Sequence, residues 1–316
     1  MPNATPRGLC SPRHARFAVI IAIAVACSVA AQQSRAEPVS PSTLQAPPGF
    51  VSDRLSVEVV GQGPDVILIP GLASSREVWR ATADRLKATH RLHLVQLAGF
   101  AGEPWSHGDG PFVQPEVDEL ARYIREARLD RPAIIGHSMG ALSGLLLAQQ
   151  HPELVGRLMS VDSLPFFSAM YGAGVTVDQA RGVAARMAGG ILAADNAAFR
   201  AQQDQSAIGL ARDPAMRATM VEWSMTTDRQ AMVAALRDVM TTDARPGLAA
   251  MTTPVTAIYV ADADGGAPAA LADALWARDY ATLPGIRLIR VDASRHFIMA
   301  DQPERFAELV DAFLAH

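Results

Sequence analysis

Five residues, Gly136-His137-Ser138-Met139-Gly140, constrain this chain more than any other stretch. They follow a short apolar run at 133–135 and lead into Ala141-Leu142-Ser143-Gly144-Leu145-Leu146-Leu147-Ala148, so the pattern reads as strand, one sharp turn and buried helix. A Gly-x-Ser-x-Gly at such a junction is a nucleophile elbow, in which the turn holds the serine in a tight conformation with its hydroxyl above the sheet. Glycine suits positions 136 and 140 because a side chain there would collide with the neighbouring strand or helix. Ser138 also stands at a helix N-terminus, whose free N–H groups favour developing negative charge. Five residues alone are a modest pattern, and the plain alternative is a serine in an ordinary strand-to-helix turn. The flanking strand and helix patterns give the elbow reading its weight.

The rest of the chain supplies a sheet for that elbow to sit on. Residues 55–60 alternate apolar and polar, as a half-buried edge strand does, and Gly61-Gln62-Gly63-Pro64 turns them into the wholly apolar run 66–69. Strands buried on both faces read like that second run. Similar runs return at 92–97, 133–135, 158–161, 255–260 and 287–291, and helical patterns fall between them at about 75–88, 115–129, 141–150, 268–281 and 302–315. The alternation predicts an α/β, doubly wound, mainly parallel sheet with right-handed crossovers. It breaks once, between Asp162 and Thr253, where helical periodicity carries Met170, Met187, Met216, Met220, Met225, Met232 and Met240. A methionine stripe is either ordinary helix core or the lining of an adaptable apolar pocket under a helical cap. The expected organisation is a signal peptide at 1–36, a Pro/Ser-rich lead-in at 37–50, a core of 51–163 and 252–316, and a cap of 164–251.

The leader reading rests on Arg7, Arg13 and Arg16, the apolar run 17–26 and the small-x-Ala site Ser34-Arg35-Ala36. Its apolar core is too short for a comfortable membrane span, so export to a periplasm or beyond is expected, with no stable span after cleavage. A second reading takes Ala24-Val25-Ala26-Cys27 as a lipobox that would anchor Cys27 to lipid, with alanine where leucine is usual. Both cysteines, Cys10 and Cys27, lie in the leader, which leaves the mature domain without disulfide, thiol nucleophile or cysteine metal site. Removing Arg7, Arg13, Arg16 and Arg35 from the 28 basic residues leaves 24 against 32 acidic ones, a formal charge of −8 that argues against a nucleic-acid partner. No zinc motif or phosphate loop occurs, so neither metal nor cofactor is expected.

A serine hydroxyl needs a base to take its proton. His296 has the best context, because it follows the last predicted strand in Asp292-Ala293-Ser294-Arg295-His296-Phe297 and so comes to the carboxyl ends of the strands, where ligand and catalytic groups of an open parallel sheet gather. The other histidines have plainer explanations: His90 and His151 end helices, His93 sits on a strand, His107 lies in a Gly-rich loop and His316 is terminal. His137 sits inside the elbow on the wrong side of the turn. The base in turn needs a carboxylate. Asp262, after the strand at 255–260, is the first choice because it gives the chain order Ser, Asp, His. Asp162, at the end of the preceding strand, and Asp264 remain open. An oxyanion would find one N–H at Met139 and another at Leu72, in the loop Pro70-Gly71-Leu72-Ala73-Ser74-Ser75.

With these residues in hand the mature chain resembles the α/β-hydrolase family along nearly its whole length. Ile69-Pro70-Gly71-Leu72 is similar to its oxyanion loop, Leu97-Ala98-Gly99-Phe100-Ala101-Gly102 to its Gly-Phe-Gly loop, and residues 136–140 to its elbow. Arg295-His296-Phe297-Ile298-Met299 with Asp301-Gln302-Pro303 is similar to the segment around its histidine. Three positions depart from the family pattern: Pro70 replaces the histidine of His-Gly, Arg295 stands where glycine usually precedes the histidine, and 260–264 has lost the Gly-x-x-Asp form. The resemblance implies esterases, lactonases, thioesterases, perhydrolases, C–C bond hydrolases and a few ligand receptors, among which fold and triad do not choose. The expected function is an exported serine hydrolase acting on a small to medium apolar ester or lactone through an acyl-enzyme. Its rivals are a ligand-binding protein that retains the triad and a perhydrolase or C–C bond hydrolase. Trp79, Phe100, Trp105, Phe166 and Met139 are the pocket-lining candidates.

Overall fold

A stretch such as Val66-Ile67-Leu68-Ile69 has no face to offer to water, and the computed structural model, which describes residues 49–315, buries it inside a seven-stranded sheet. The strands are β1 (Leu55–Gly61), β2 (Asp65–Ile69), β3 (Arg91–Leu97), β4 (Ala133–His137), β5 (Arg157–Val161), β6 (Val255–Ala261) and β7 (Arg287–Asp292). Their spatial order is β1-β3-β2-β4-β5-β6-β7. β1, the strand with the alternating pattern, pairs antiparallel with β3 at one edge, Leu55 opposite Leu97, and the remaining neighbours pair in parallel. The leader at 1–36 and most of the lead-in lie outside the described residues.

Helices α1 (Arg80–Leu86), α2 (Val113–Glu126) and α3 (Met139–Gln150) follow β2, β3 and β4. Then come α4 (Val177–Ala193), α5 (Asn196–Leu210), α6 (Pro214–Thr226) and α7 (Arg229–Thr241), inserted between β5 and β6, and finally α8 (Ala269–Asp279), α9 (Ile298–Asp301) and α10 (Pro303–Leu314). Because strand side chains alternate, one chain serves two cores. Ile67, Ile69, Val95 and Ile134 pack against Val117, Leu120, Leu142 and Leu145 of α2 and α3, whereas Val66, Leu68, Leu94 and Ile135 pack against Leu86, Phe306, Leu309 and Val310 of α1 and α10. Two covered faces explain the wholly apolar strands.

The insertion is punctuated by caps. Thr176 begins α4 with a capping box to Gln179, and Asp195, Asp213 and Asp228 accept backbone N–H groups at the starts of α5, α6 and α7. Its methionines do several jobs. Met220 joins the core beneath, Met225 and Met232 pack with Phe199 against Leu72 and Ala73, and Met170 and Met187 are exposed.

Candidate active site

β4 ends at His137, and the next residue turns sharply. Ser138 has φ 54° and ψ −120°, a backbone conformation that costs a non-glycine residue about 1–3 kcal/mol. The surroundings over-determine it: the Ser138 N–H donates to Val161 O (2.9 Å), and its carbonyl accepts from Ala141 and Leu142 (3.0 and 3.2 Å). The two glycines act by close approach. A Cβ on Gly136 would lie 2.4 Å from Gly140 O, and one on Gly140 would lie 2.5 Å from both Ile69 O and Pro70 O. The loop after β2 therefore lies directly against the elbow, and a Cβ on Gly71 would sit 3.1 Å from Ser138 Cβ. Among the described residues, neither the Leu72 nor the Met139 N–H has an acceptor within the chain, which leaves both free for a ligand.

Pro70 stands where the resemblance implies a histidine, and other contacts hold this loop. Ser74 N–H donates to Gly71 O (3.2 Å), and the Arg76 N–H donates to the buried Gln96 Oε1 (2.8 Å). Gln96 Nε2 donates in turn to Phe100 O (3.2 Å). One glutamine thus ties the end of the β2 loop to the loop after β3, a role that its place in an apolar strand pattern did not disclose.

His296 lies in the loop between β7 and α9, and its Nδ1–H donates to Asp162 Oδ2 at 2.6 Å. Asp162 follows β5 immediately, with φ 47°, and its Oδ1 accepts the Val260 N–H at 3.2 Å. The sequence reading put Asp262 first as the partner of His296, and the structure corrects it. Asp262, also buried, accepts from Arg212 Nη1 (2.9 Å) on Oδ1 and from Arg295 Nε (2.8 Å) on Oδ2. The physical reason is Arg295: a guanidinium beside His296 claims the carboxylate, and Asp162, one strand nearer to the elbow, takes the imidazole. Burial alone would raise the Asp262 carboxyl, but the hydrogen bond from Arg295 and the charges of Arg212 and Arg295 outweigh it and hold the group below the ordinary carboxylate value. Asp264 is exposed, with only a long contact of 3.5 Å to Arg212.

His137 packs its ring 4.5 Å from that of His296, centroid to centroid. Its Nε2 lies 3.0 Å from His296 O, and a carbonyl only accepts, so Nε2 carries the hydrogen. Nδ1 is the bare nitrogen and has no partner. Complete burial, reinforced by His296, drives the His137 imidazole well below its ordinary value, so it stays neutral. Its one hydrogen bond is to the backbone of the histidine loop. No hydrogen bond joins Ser138 Oγ to His296; such contacts often tighten only when substrate binds.

Most of the pocket-lining candidates belong to the core. Trp79 stacks on Phe306 (6.1 Å), Phe100 and Trp105 stack on Phe112 (4.7 and 5.1 Å), and Phe166 lies under Arg245 (4.6 Å). A separate apolar cluster, Ala73, Phe199 and Met232 with the half-buried Leu72 and Met225, packs against the loop after β2. His93, read as an ordinary strand histidine, is buried between Tyr123 Oη (2.6 Å) and Asp65 Oδ1 (2.9 Å) near the opposite end of the sheet. Among the described residues, no group of three or more His, Cys, Asp or Glu side chains is placed to hold a metal ion, and no helix is long and apolar enough to cross a membrane.

Residues 66–309 match the family model described as "Alpha/beta hydrolase family". A pimeloyl-acyl-carrier-protein methyl ester esterase of Vibrio atlanticus (strain LGP32) is 33% identical over 119 residues, which is 38% of this chain and 44% of that protein. The chain therefore matches less than half the length of this relative. Among solved structures, the enol-lactonase of Burkholderia xenovorans LB400 superposes with a TM-score of 0.66 at 19% identity, over 83% of this chain and 96% of that one. A thermophilic esterase of Thermogutta terrifontis superposes equally well, with a TM-score of 0.66 at 19% identity over 83% and 93% of the two chains. At such identities these superpositions speak to the fold.

Proposed function

This chain belongs to the alpha/beta hydrolase family, and we propose that it is an exported, esterase-like serine hydrolase that cleaves a small to medium, largely apolar carboxylic ester or lactone. Ser138 is the nucleophile, His296 the base and Asp162 the acid. The observation that carries this reading is the 2.6 Å hydrogen bond from His296 Nδ1 to Asp162, formed at the strand end adjoining the strained Ser138. That bond fixes the tautomer, leaving Nε2 unprotonated and available.

In the proposed reaction Ser138 Oγ attacks the substrate's carbonyl carbon while His296 Nε2 takes the hydroxyl proton. The Asp162 carboxylate stabilises the resulting imidazolium. The tetrahedral oxyanion accepts N–H bonds from Leu72 and Met139 at the start of α3, each donor of this kind being worth about 10²–10³ in turnover. Collapse of the intermediate breaks the C–O bond, and His296 returns the proton to the departing alkoxide, leaving the acyl group on Ser138. Water then attacks the acyl-enzyme, His296 takes its proton, and the carboxylic acid leaves with Ser138 regenerated. The half-buried Leu72 and Met225 support the choice of an apolar acyl group, because they are the partly exposed members of the apolar cluster packed on the oxyanion loop. The esterase and lactonase names of the relatives support the ester or lactone class.

Intact-protein mass after treatment with an activated fluorophosphonate tests the reading, with short p-nitrophenyl esters assayed in parallel. The expected result is one adduct on the wild type, none on Ser138→Ala or His296→Ala, and ester turnover lost in both variants. An unlabelled wild type would refute it. Export rests on the arginines and apolar run of the leader, and the expected mature protein, recovered from the periplasm or medium, begins just after Ala36.

A further inference from the structure

Asp262 is left over by the catalytic assignment, yet it is buried, charged and fully partnered. Its two oxygens reach two different parts of the chain: Oδ1 takes Arg212 from the connection between α5 and α6, and Oδ2 takes Arg295 from the histidine loop. Asp301 repeats the arrangement. Its Oδ1 accepts the backbone N–H groups of Arg212 and Asp213 (2.8 and 2.9 Å), and its Oδ2 accepts the N–H of Arg295 (2.8 Å). Backbone contacts close the same gap, since the Phe297 N–H donates to Leu210 O (3.1 Å) and Arg295 Nη1 donates to Ile208 O. Both chain neighbours of His296 are thus fastened to the end of α5 and the connection that follows it. The loop carrying Asp262 is itself closed, Asp262 N–H to Ala267 O (2.8 Å) and Ala267 N–H to Asp262 O (2.9 Å). Gly265 presses against the ion pair so closely that a Cβ there would lie 3.1 Å from Asp262 Oδ2.

We propose that Asp262, with Arg212 and Arg295, is a positioning residue: it clasps the helical insertion to the histidine loop and so sets where His296 stands relative to Asp162 and Ser138. The inference rests on the hydrolase reading above. Geometry makes the clasp a matter of rate. His296 is gripped through its Nδ1 (by Asp162), its own carbonyl (by His137) and both neighbouring residues, Arg295 by Asp262 and Phe297 by Leu210, and all four grips leave the histidine loop for other elements. Releasing the one at Asp262 frees the loop to shift, and a misplacement of about 1 Å costs on the order of 10² in rate. Removing Asp262 also leaves two guanidinium groups facing each other without their shared carboxylate, which drives Arg212 and Arg295 apart.

The test measures kcat and KM on a p-nitrophenyl ester, thermal midpoint and fluorophosphonate labelling for the wild type, Asp262→Asn, Arg212→Gln, Arg212→Lys, Asp162→Asn and the double variant Asp262→Asn/Arg212→Gln. Asp262→Asn is expected to lower kcat about 10- to 100-fold with KM nearly unchanged. Arg212→Gln moves kcat the same way, Arg212→Lys restores part of it, and the double variant is no worse than Asp262→Asn because one contact has been removed twice. A labelled wild type with kcat of Asp262→Asn within twofold of it, whatever happens to the thermal midpoint, would overturn the clasp alone. So would a fall as deep as that of Asp162→Asn, which would make Asp262 the acid. An unlabelled wild type would overturn the hydrolase reading and the clasp with it. Should Asp262→Asn fail to fold, the half-exposed Arg212 and its Gln and Lys variants carry the same comparison.

Discussion

Asparagine at position 162 is a sharper probe of the site than alanine. Asp162 has φ 47°, where asparagine is comfortable and most residues are strained, so the substitution leaves the backbone alone. The outcome then follows from hydrogen-bond polarity. Asp162 Oδ1 accepts the Val260 N–H (3.2 Å), and an asparagine keeps that bond by placing its oxygen there. Its NH₂ group is then left where Oδ2 meets His296 Nδ1 at 2.6 Å. Two donors cannot face each other, so the imidazole moves its hydrogen to Nε2, the nitrogen that has to accept the serine proton. The loss expected for a wrong-tautomer triad is about 10⁴ in kcat, equivalent to about 5 kcal/mol of transition-state stabilisation. KM should change little, because no group that binds substrate has been removed. The assay is steady-state hydrolysis of a p-nitrophenyl ester at pH 7–8, with thermal midpoints showing that the variant is folded. A kcat for Asp162→Asn within tenfold of the wild type would refute the reasoning, most clearly if Asp262→Asn lost far more.

Three further outcomes follow from the packing. Glu116, wholly buried on α2 with neither oxygen bonded, is pushed by desolvation from an ordinary 4.5 up to about 8, against a small opposing pull from Ser143. The folded state therefore holds this proton more tightly than the unfolded chain, and stability from this group, present at pH 4.5, is lost as pH rises to about 8, by on the order of 5 kcal/mol at most. Glu116→Gln should flatten that decline, and urea midpoints for both proteins between pH 5 and 8 that fall in parallel would contradict it. Gly136→Ala puts a Cβ 2.4 Å from Gly140 O and 2.6 Å from Ala141 N, so it should cost about 2–3 kcal/mol and abolish labelling of Ser138; a normally labelled, equally stable variant would argue against the tight elbow. Met232→Ala, which removes a buried side chain packed near the oxyanion loop, should lower stability by about 2–5 kcal/mol and shift the preferred acyl chain of p-nitrophenyl esters to greater length. An unchanged chain-length profile would place the acyl group elsewhere.

The parts legible in the sequence are those set by local chemistry. Val66–Ile69 reads as a strand covered on both faces because every side chain is apolar, and residues 55–60 read as an edge because they alternate; the sheet places them so. Gly136 and Gly140 are read correctly as sites of close approach, since no other residue tolerates a backbone atom within 3 Å of its Cβ position. What resisted reading depends on contacts between residues far apart in the chain. The support of the oxyanion loop by Gln96 spans twenty residues and two loops. The aromatic residues chosen for the pocket give the same signal whether they face substrate or the core, and burial alone separates those uses.

The choice between the two aspartates is a different kind of miss, because the information was present and was divided between two observations. β5 and β6 are neighbours in the sheet, Val161 opposite Ile258, so Asp162 and Asp262 emerge at adjacent strand ends and either is within a strand's width of the histidine loop. Topology leaves the selection open. Charge decides it. An arginine immediately before His296 in place of glycine brings a guanidinium to the same loop, and an arginine that is only 15% exposed requires a carboxylate. If Asp262 took the histidine, Arg295 would be stranded; if Asp262 takes Arg295, Asp162 remains for the histidine and both charges are met. The arginine before His296 and the acid segment after β6 meet in one contact, Arg295 Nε to Asp262 Oδ2 at 2.8 Å. Arg295 and Asp262 thus form one largely buried ion pair. They also predict a reciprocal dependence: Asp262→Asn should be less harmful beside Arg295→Gly than alone, since the second change removes the charge that the first leaves unpaired. A double variant whose thermal midpoint is the sum of two independent losses would show that the two positions do not depend on each other.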